Sequence, residues 1–198
     1  TINAVYMSLT EINIKNNKIT HNDFAVGMTP ISVAQSYKTG DATTNTLKAT
    51  IAENVVELSN PPVGGSYCLI YQVGDTVGAS VDFDYQSDIY DNDLRISSSK
   101  NSIYAASVAT TSTGTKYVDL SIRNNKCWGQ ITLIDTGTHT ERKYVNGNLN
   151  INGQPFFWAV TTSGAYDSWT NNVTINTTAG VISGNLPDGD FNGQQYYL

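Results

Sequence analysis

The stretch YVDLSIRNNKCWGQITLI, residues 117–134, decides the fold prediction. Apolar and polar side chains alternate on both sides of its centre, and a period of two is that of a β-strand with one buried face. Between the two alternating runs lies Asn124-Asn125, a dipeptide that tolerates the positive φ angles of a tight turn. The stretch therefore predicts two antiparallel strands joined as a β-hairpin.

The same pattern recurs outward from this stretch in both directions. Residues 77–85 alternate between apolar and polar side chains, and Asn16-Asn17 marks a second tight turn. Helix-forming residues are scarce, with four Glu and two Met in 198 residues. We therefore expect an all-β chain with little helix, folded as an antiparallel β-sandwich or jelly roll. A single domain is expected over 1–198, with a weak break at residues 60–65.

The alternation also predicts which side chains form the core. The inward positions of the predicted strands are Val5, Met7, Leu69, Tyr71, Val81, Phe83, Leu120, Ile122, Ile131, Leu133, Phe157 and Val160. Cys68 and Cys127 both lie in apolar, strand-like segments. We expect two buried free thiols there in preference to a disulfide.

One short sequence occurs twice, as IKNNK at 14–18 and IRNNK at 122–126. Turn chemistry alone can produce five matching residues at two hairpins, because Asn is favoured wherever φ is positive. We therefore interpret the match as convergence and predict no internal duplication.

Composition excludes several classes of protein. Asp and Glu outnumber Lys and Arg by 17 to 11, so the chain lacks the basic surface that nucleic acid requires. No run of about 20 apolar residues is present, and we expect neither a signal peptide nor membrane insertion. Only 14% of residues are charged, whereas Thr, Asn, Ser and Gly together make up 78 of 198. The polarity of this chain is uncharged.

Catalytic signatures are absent. The chain has no Gly-x-Ser-x-Gly motif, and its two histidines, His21 and His139, lie in polar, turn-like surroundings. Four scattered Glu residues do not suggest the paired carboxylates of a glycosidase. We therefore predict no catalytic residues and no enzymatic activity. A glycan-active enzyme on a sandwich scaffold is the less favoured alternative.

Two acidic clusters in the sequence are candidate calcium sites. The segment 82–93 contains five Asp residues, but its alternation favours a strand with an acidic face in water. The second cluster, Asp188, Asp190 and Asn192, fits the opening of a calcium loop, whose closing acid is missing before Leu198. Turn chemistry also accounts for this tail, so we predict no cofactor and keep calcium as the alternative.

Two further groups of residues are candidate binding surfaces. Aromatic rings together with planar carboxylates and amides suit a sugar, which makes a glycan site of Tyr166, Asp167, Trp169 and Asn171. A row of amides is expected on one strand face as an assembly surface, formed by Asn146, Asn148, Asn150 and Asn152. Amides can pair across an interface without the cost of desolvating a charge.

Low charge and an uncharged polar surface are typical of proteins that act as structural parts or adhesive surfaces. The favoured hypothesis is a virion component of a tailed phage, such as a head-decoration, fibre or tail protein, located in the virion or extracellularly. Its expected partners are copies of itself and other virion proteins. The alternative is a secreted or surface glycan-binding, lectin-like module, whose partner would be a cell-surface glycan.

Overall fold

In the computed structural model, the residues described are 11–22, 29–37, 45–59, 67–75, 83–96, 100–107, 116–135, 140–151, 156–160, 168–170, 172–176 and 181–185. They form strands, turns and bends, and none of the described residues is helical. The prediction of an all-β chain is confirmed.

The strands follow one another in successive coils of three. In chain order the coils are β1 (Glu11–Lys15), β2 (Lys18–Asn22), β3 (Ile31–Tyr37); β4 (Asn45–Ala52), β5 (Val55–Ser59), β6 (Tyr67–Asp75); β7 (Phe83–Tyr90), β8 (Asp93–Arg95), β9 (Asn101–Ser107); β10 (Lys116–Arg123), β11 (Lys126–Cys127), β12 (Gln130–Asp135); β13 (Thr140–Asn146), β14 (Leu149–Asn150), β15 (Phe156–Val160); and β16 (Ser168–Thr170), β17 (Asn172–Asn176), β18 (Val181–Asn185).

Each coil contributes to three stacked sheets. The first sheet has the order β1-β4-β7-β10-β13-β16, the second β2-β5-β8-β11-β14-β17-β18 and the third β3-β6-β9-β12-β15. Neighbouring strands are parallel in all three sheets, except that β18 pairs antiparallel with β17. Strands that follow one another in the chain therefore lie in different sheets, and the architecture is a parallel β-helix.

The predicted antiparallel β-sandwich or jelly roll is wrong. β10 pairs with β7 and β13, whereas β12, its expected hairpin partner, lies in the third sheet. Asn124-Asn125 turns the chain through a corner from the first sheet to the second, and Asn16-Asn17 does the same in the first coil. Alternation is the same for strands with parallel and with antiparallel partners, so it could not decide between the two arrangements.

The core is built from rows of like side chains, one from each coil. In the first sheet the inward row is almost purely aliphatic, with each member directly paired with the next: Ile14, Ile51, Ile89, Ile122 and Val145. All five are at most 4% exposed. Burial of one such side chain contributes about 1.5–3 kcal/mol, so this row is a major source of stability.

Part of the predicted core falls on described side chains, and that part is confirmed. The buried members are Leu69, Tyr71, Leu120, Ile122 and Ile131. The positions of Val5, Met7 and Val81, and the side chains of Phe83, Leu133, Phe157 and Val160, lie outside the described part of the structure.

Among the described residues, five corners between the first and second sheets contain a residue with positive φ. The five such residues have φ between 53° and 67°: Asn16, Glu53, Asp91, Asn124 and Gly147. A left-handed conformation costs most residues other than glycine about 1–2 kcal/mol, and Asn and Asp less, because their short side chains can form local hydrogen bonds. The residue that follows each of them supplies compensating hydrogen bonds.

The residue that follows each of these five corner residues is asparagine, and Asn172 continues the series in the last coil. We call these residues the amide ladder: Asn17, Asn54, Asn92, Asn125, Asn148 and Asn172. The Nδ2 group of each rung donates to Oδ1 of the next at 2.8–3.0 Å. The backbone N–H of each rung donates to the same oxygen at 3.0–3.1 Å. From the second rung on, all are at most 1% exposed.

Every buried rung also binds the preceding coil. Nδ2 of Asn54 donates to the carbonyl oxygen of Ile14, and Nδ2 of Asn92 donates to that of Ile51, both at 2.9 Å. Later rungs repeat the contact with Ile89, Ile122 and Val145. Both N–H groups and the oxygen of each internal amide are therefore satisfied, as a buried amide requires.

The repeated IKNNK and IRNNK segments are thus equivalent positions in two coils, and their interpretation as convergent hairpin turns is corrected. Both contain an inward Ile, a residue with positive φ and an Asn rung, and the coils of Asn54, Asn92 and Asn148 have the same order with Ile or Val inward. The rungs are separated by 37, 38, 33, 23 and 24 residues. This variable spacing hides the repeat from a search at a fixed period.

A second corner, between the second and third sheets, is held by Ser102 and Gly129. Ser102 Oγ donates to the carbonyl oxygen of Leu94 at 2.9 Å and accepts the Gly129 N–H at 2.9 Å. Asn150 Nδ2 then donates to the Gly129 carbonyl oxygen at 2.8 Å. Three successive coils are linked through buried polar groups at this corner.

Cys68 of β6 and Cys127 of β11 are free thiols, and both are fully buried. The prediction of buried free thiols is confirmed at both positions. Burial raises the pKa of both thiols, and the neighbouring Cys127 raises that of Cys68 further. Both side chains are therefore neutral parts of the core.

Candidate functional site

The outward face of the first sheet carries polar side chains in rows that follow the strand register. One row is Asn13, Thr50, Asp88, Ser121 and Tyr144, each directly paired with the next. The adjacent row is Glu11, Lys48, Gln86 and Asp119. These residues alternate with the inward aliphatic row, so the same strands that build the core present a polar outer face.

An open groove of about 270 Å³ lies on this face. It crosses β4, β7, β10 and β13, and its lining residues are Lys48, Ala49, Thr50, Gln86, Ser87, Asp88, Asp119, Leu120, Ser121 and Tyr144. Neighbouring strands are about 4.8 Å apart, so the groove spans about 14 Å along the axis of the β-helix. Backbone pairing on both sides of each strand fixes its shape.

Asp88 is the most firmly positioned charged group in the groove. Arg123 donates to it from Nε at 3.1 Å and from Nη2 at 2.7 Å, a two-point contact with both carboxylate oxygens. The Arg123 guanidinium also lies 4.2 Å from the centre of the Tyr90 ring. Hydrogen bonding to Asp88 raises the pKa of Arg123, so the guanidinium is positively charged.

The described charges around the groove balance. Lys48 and the neighbouring Arg123 are positive, and Asp88 and Asp119 are negative. The ends of the groove differ in character, because Lys48 lies on β4 and the aromatic ring of Tyr144 lies on β13. Such a surface offers hydrogen bonds without a strong net field, which suits an uncharged polar ligand.

The row of amides predicted as an assembly surface does not lie along one strand. β13 ends at Asn146 and β14 begins at Leu149, so a corner divides the row. Asn148 is a rung of the amide ladder and is 1% exposed, and Asn150 is fully buried. Asn146 is half-buried at the end of β13, and Asn152 lies outside the described residues. The use of this segment in assembly stays a prediction.

The predicted glycan and calcium residues are mostly beyond the described structure. Trp169 is in β16, where it pairs with Val145. The other glycan candidates, Tyr166, Asp167 and Asn171, and the calcium candidates, Asp188, Asp190 and Asn192, lie outside the described residues. Among the side chains that the structure does describe, no group of three His, Cys, Asp or Glu is arranged to hold a metal ion.

Sequence reasoning missed the groove, although it named one part of it. Segment 82–93 is not one strand, because β7 ends at Tyr90, Asp91 lies in a corner and β8 begins at Asp93. Of its acids, Asp88 is an outward residue of β7. Asp119 and Tyr144 join it only through the parallel register of β7, β10 and β13. The signal in the sequence was the Asn that lies two residues after each strand of the first sheet. Aligning the coils on this Asn brings the paired residues of the first sheet into register.

No helix long and apolar enough to cross a membrane is found in the described part of the chain. Comparison with protein-family models, with curated proteins and with solved structures finds no significant match to this chain.

Proposed function

We propose that the chain is a non-enzymatic structural protein, and specifically a virion component of a tailed phage such as a head-decoration, fibre or tail protein. The observation that supports this proposal is the amide ladder. It crosses five successive coil interfaces and is fully buried from Asn54 to Asn172. Its length, at about 4.8 Å per step, is about 24 Å.

The ladder makes separation of neighbouring coils costly. In a β-helix each coil contacts only its neighbours, so opening one interface is the elementary step of unfolding. Opening the interface between Asn92 and Asn125 breaks two hydrogen bonds. One runs from Asn92 Nδ2 to Asn125 Oδ1, and the other from Asn125 Nδ2 to the Ile89 carbonyl oxygen. Each such hydrogen bond contributes a net of about 0.5–1.5 kcal/mol, because the opened groups bond to water instead. Resistance to local opening is what a particle component needs outside a cell.

The composition supports contacts with other proteins over polar surfaces. With 14% charged residues, the chain can bury surface without desolvating many charges. On the second sheet, exposed Thr20 and Asn22 of β2 illustrate this uncharged polar surface. The expected partners are further copies of this chain and other virion proteins.

Sedimentation velocity of the purified chain over a roughly hundredfold concentration range tests the proposal. We expect a discrete homo-oligomer that persists on dilution, since a structural component must hold its contacts at low free concentration. A monomer at every concentration would contradict self-assembly and would favour the lectin-like alternative. The Asn92→Ala variant, which weakens the ladder without altering the surface, should retain the oligomer wherever it remains folded.

A further inference from the structure

The groove on the first sheet contains an exposed aromatic ring next to planar polar groups. Tyr144 is 39% exposed, and it is the only large hydrophobic side chain with such exposure among those that the structure describes. Exposed aromatic rings commonly serve as contact surfaces, because burying them on binding releases water from a large apolar face. Tyr144 lies at one end of a defined groove, so a ligand there would bury its ring.

The remaining groove residues supply hydrogen bonds of the kind that hydroxyl groups need. Gln86 carries an amide that can both donate and accept, and Asp88 and Asp119 carry carboxylates, which accept hydrogen bonds. The hydroxyl group of Ser121 lies between Asp88 and Tyr144 in the strand register. Several hydroxyl groups arranged on one ligand could therefore be recognised at once.

The chemistry of Asp88 favours binding over cleavage. Glycoside hydrolysis requires one carboxyl group in its protonated form as a general acid. Arg123 donates to both oxygens of Asp88, so both oxygens already act as hydrogen-bond acceptors. Asp88 is therefore placed to hold a ligand through hydrogen bonds.

Charge and size narrow the ligand class. Among the described lining side chains Lys48 is positive and Asp88 and Asp119 are negative, and the whole chain carries a net charge of −6, which disfavours an acidic polymer. The volume of about 270 Å³ lies at the lower end of ligand sites, and the groove is open along the axis. An extended chain of small polar units fits these limits better than a compact cofactor does.

We propose that this groove binds a neutral oligosaccharide, which lies along the axis of the β-helix across β4, β7, β10 and β13. Tyr144 packs against the apolar face of one sugar ring. Gln86, Asp88 and Asp119 accept or donate hydrogen bonds with the hydroxyl groups of neighbouring rings. The proposal is independent of the assembly role, because it concerns a different face from the buried ladder and requires no particular oligomeric state.

Isothermal titration with three neutral hexasaccharides, cellohexaose, maltohexaose and mannohexaose, tests this site, with hexagalacturonate as the acidic comparison. We expect at least one neutral probe to bind with a Kd in the range of about 10 µM to 1 mM. Tyr144→Ala should weaken that binding at least about tenfold, which corresponds to about 1.4 kcal/mol, and Tyr144→Phe should retain most of it. Gln86→Ala should also weaken binding of the same probe, because it removes the amide from the groove.

Lys18→Ala is the matched control, since Lys18 is exposed on β2 in another sheet. Its affinity should stay within about twofold of the unchanged chain. Circular dichroism melting establishes that every variant is folded. The proposal is overturned if no neutral probe binds at about 10 mM, if hexagalacturonate binds more tightly than the neutral probes, or if both groove variants bind as well as the control.

Discussion

The asparagine rungs show how one side chain can compensate for strain next to it. Glu53 and Asp91 hold φ angles of 57° and 53°. The residues that follow them, Asn54 and Asn92, bond to the preceding coil, to each other and to the next coil. Asparagine is required because only an amide donates and accepts in the same plane. Aspartate of the same shape cannot donate, and it would place two acceptors opposite each other.

Asn92→Ala should therefore lower the free energy of unfolding by about 3–5 kcal/mol, among the largest effects of a single substitution. It removes the acceptor for the Asn54 N–H and Nδ2 groups and the donor to the Ile51 carbonyl oxygen, all of them buried. Urea unfolding followed by circular dichroism measures the change. Asn13→Ala is the control, because Asn13 is exposed and its side chain donates to Glu11 of the same strand. A similar loss in both variants would contradict the ladder's role.

Gly129 is required for a different reason, namely space. A Cβ atom there would lie 2.4 Å from the Lys100 carbonyl oxygen and 2.6 Å from Ile96 Cγ2. Because the nearest atom belongs to the backbone, Gly129→Ala should cost about 1–3 kcal/mol in thermal or urea unfolding.

Gly147→Asn is the matched comparison for that substitution. Gly147 has a φ of +67°, and a Cβ atom there would approach only the end of the Asn124 side chain. Asn already occupies the equivalent corner position at Asn16 and Asn124, so this change should cost less than about 1 kcal/mol. Equal losses in the two variants would show that the close contacts of Gly129 do not decide its identity.

At the scale of strands, the sequence predicts position but not partner. Leu120 and Ile122 were correctly expected to face inward, because alternation depends only on the residues of one strand. The partner of β10 depends on where the chain returns, and the segments between rungs range from 23 to 38 residues. Asn-Asn favours both a tight hairpin and an open corner, so turn chemistry left the topology undecided. Residues 32–37 form part of β3, and their partners lie in β6 of the next coil, far away in the sequence.

Packing between the second and third sheets predicts a response to alkaline pH. The folded pKa of Cys68 and Cys127 is raised by burial, whereas an unfolded thiol titrates at about 8.5. Their contribution to stability is therefore complete below about pH 8.5 and is lost as the pH rises further, because the unfolded chain alone releases the protons. The urea midpoint should fall more between about pH 8 and pH 9.5 in the unchanged chain than in a Cys68→Ala/Cys127→Ala variant. A thiol reagent should find no reactive group at neutral pH until the chain unfolds; rapid labelling of the native chain would refute this burial.

At the scale of the molecule, equivalent coils imply that a whole coil can be removed. Deleting residues 92–124 joins Asp91 to Asn125 and removes β8, β9 and β10, which leaves the order inward residue, positive φ and Asn intact. Ile89 would then meet Val145 in the inward row, a pairing of similar side chains. We expect a folded β-rich chain with a lower melting temperature, observed by circular dichroism.

Deletion of residues 104–136 is the control, since it removes the same number of residues from a different starting point. In the third sheet Ile103 is paired with Ile131, so a join in register would place Thr132 directly after Ile103. This deletion places Gly137 there instead, and the chain is out of register. It should give an unfolded or aggregated product, because a slip in register moves inward side chains to the outer face. Similar folding of both deletions would show that coils are not the units of this structure.

The direction of the amide ladder has an electrical consequence. Every Nδ2 group of the ladder points from one rung toward the Oδ1 of the following rung, beginning at Asn17 and ending at Asn172. The amide dipoles therefore add, as peptide dipoles do in an α-helix, with the negative pole at the first coil and the positive pole at the last. Two such columns brought together end to end attract when they share one orientation and repel when the orientation of one is reversed. A stack of amides inside the molecule thus gives the whole column a polarity.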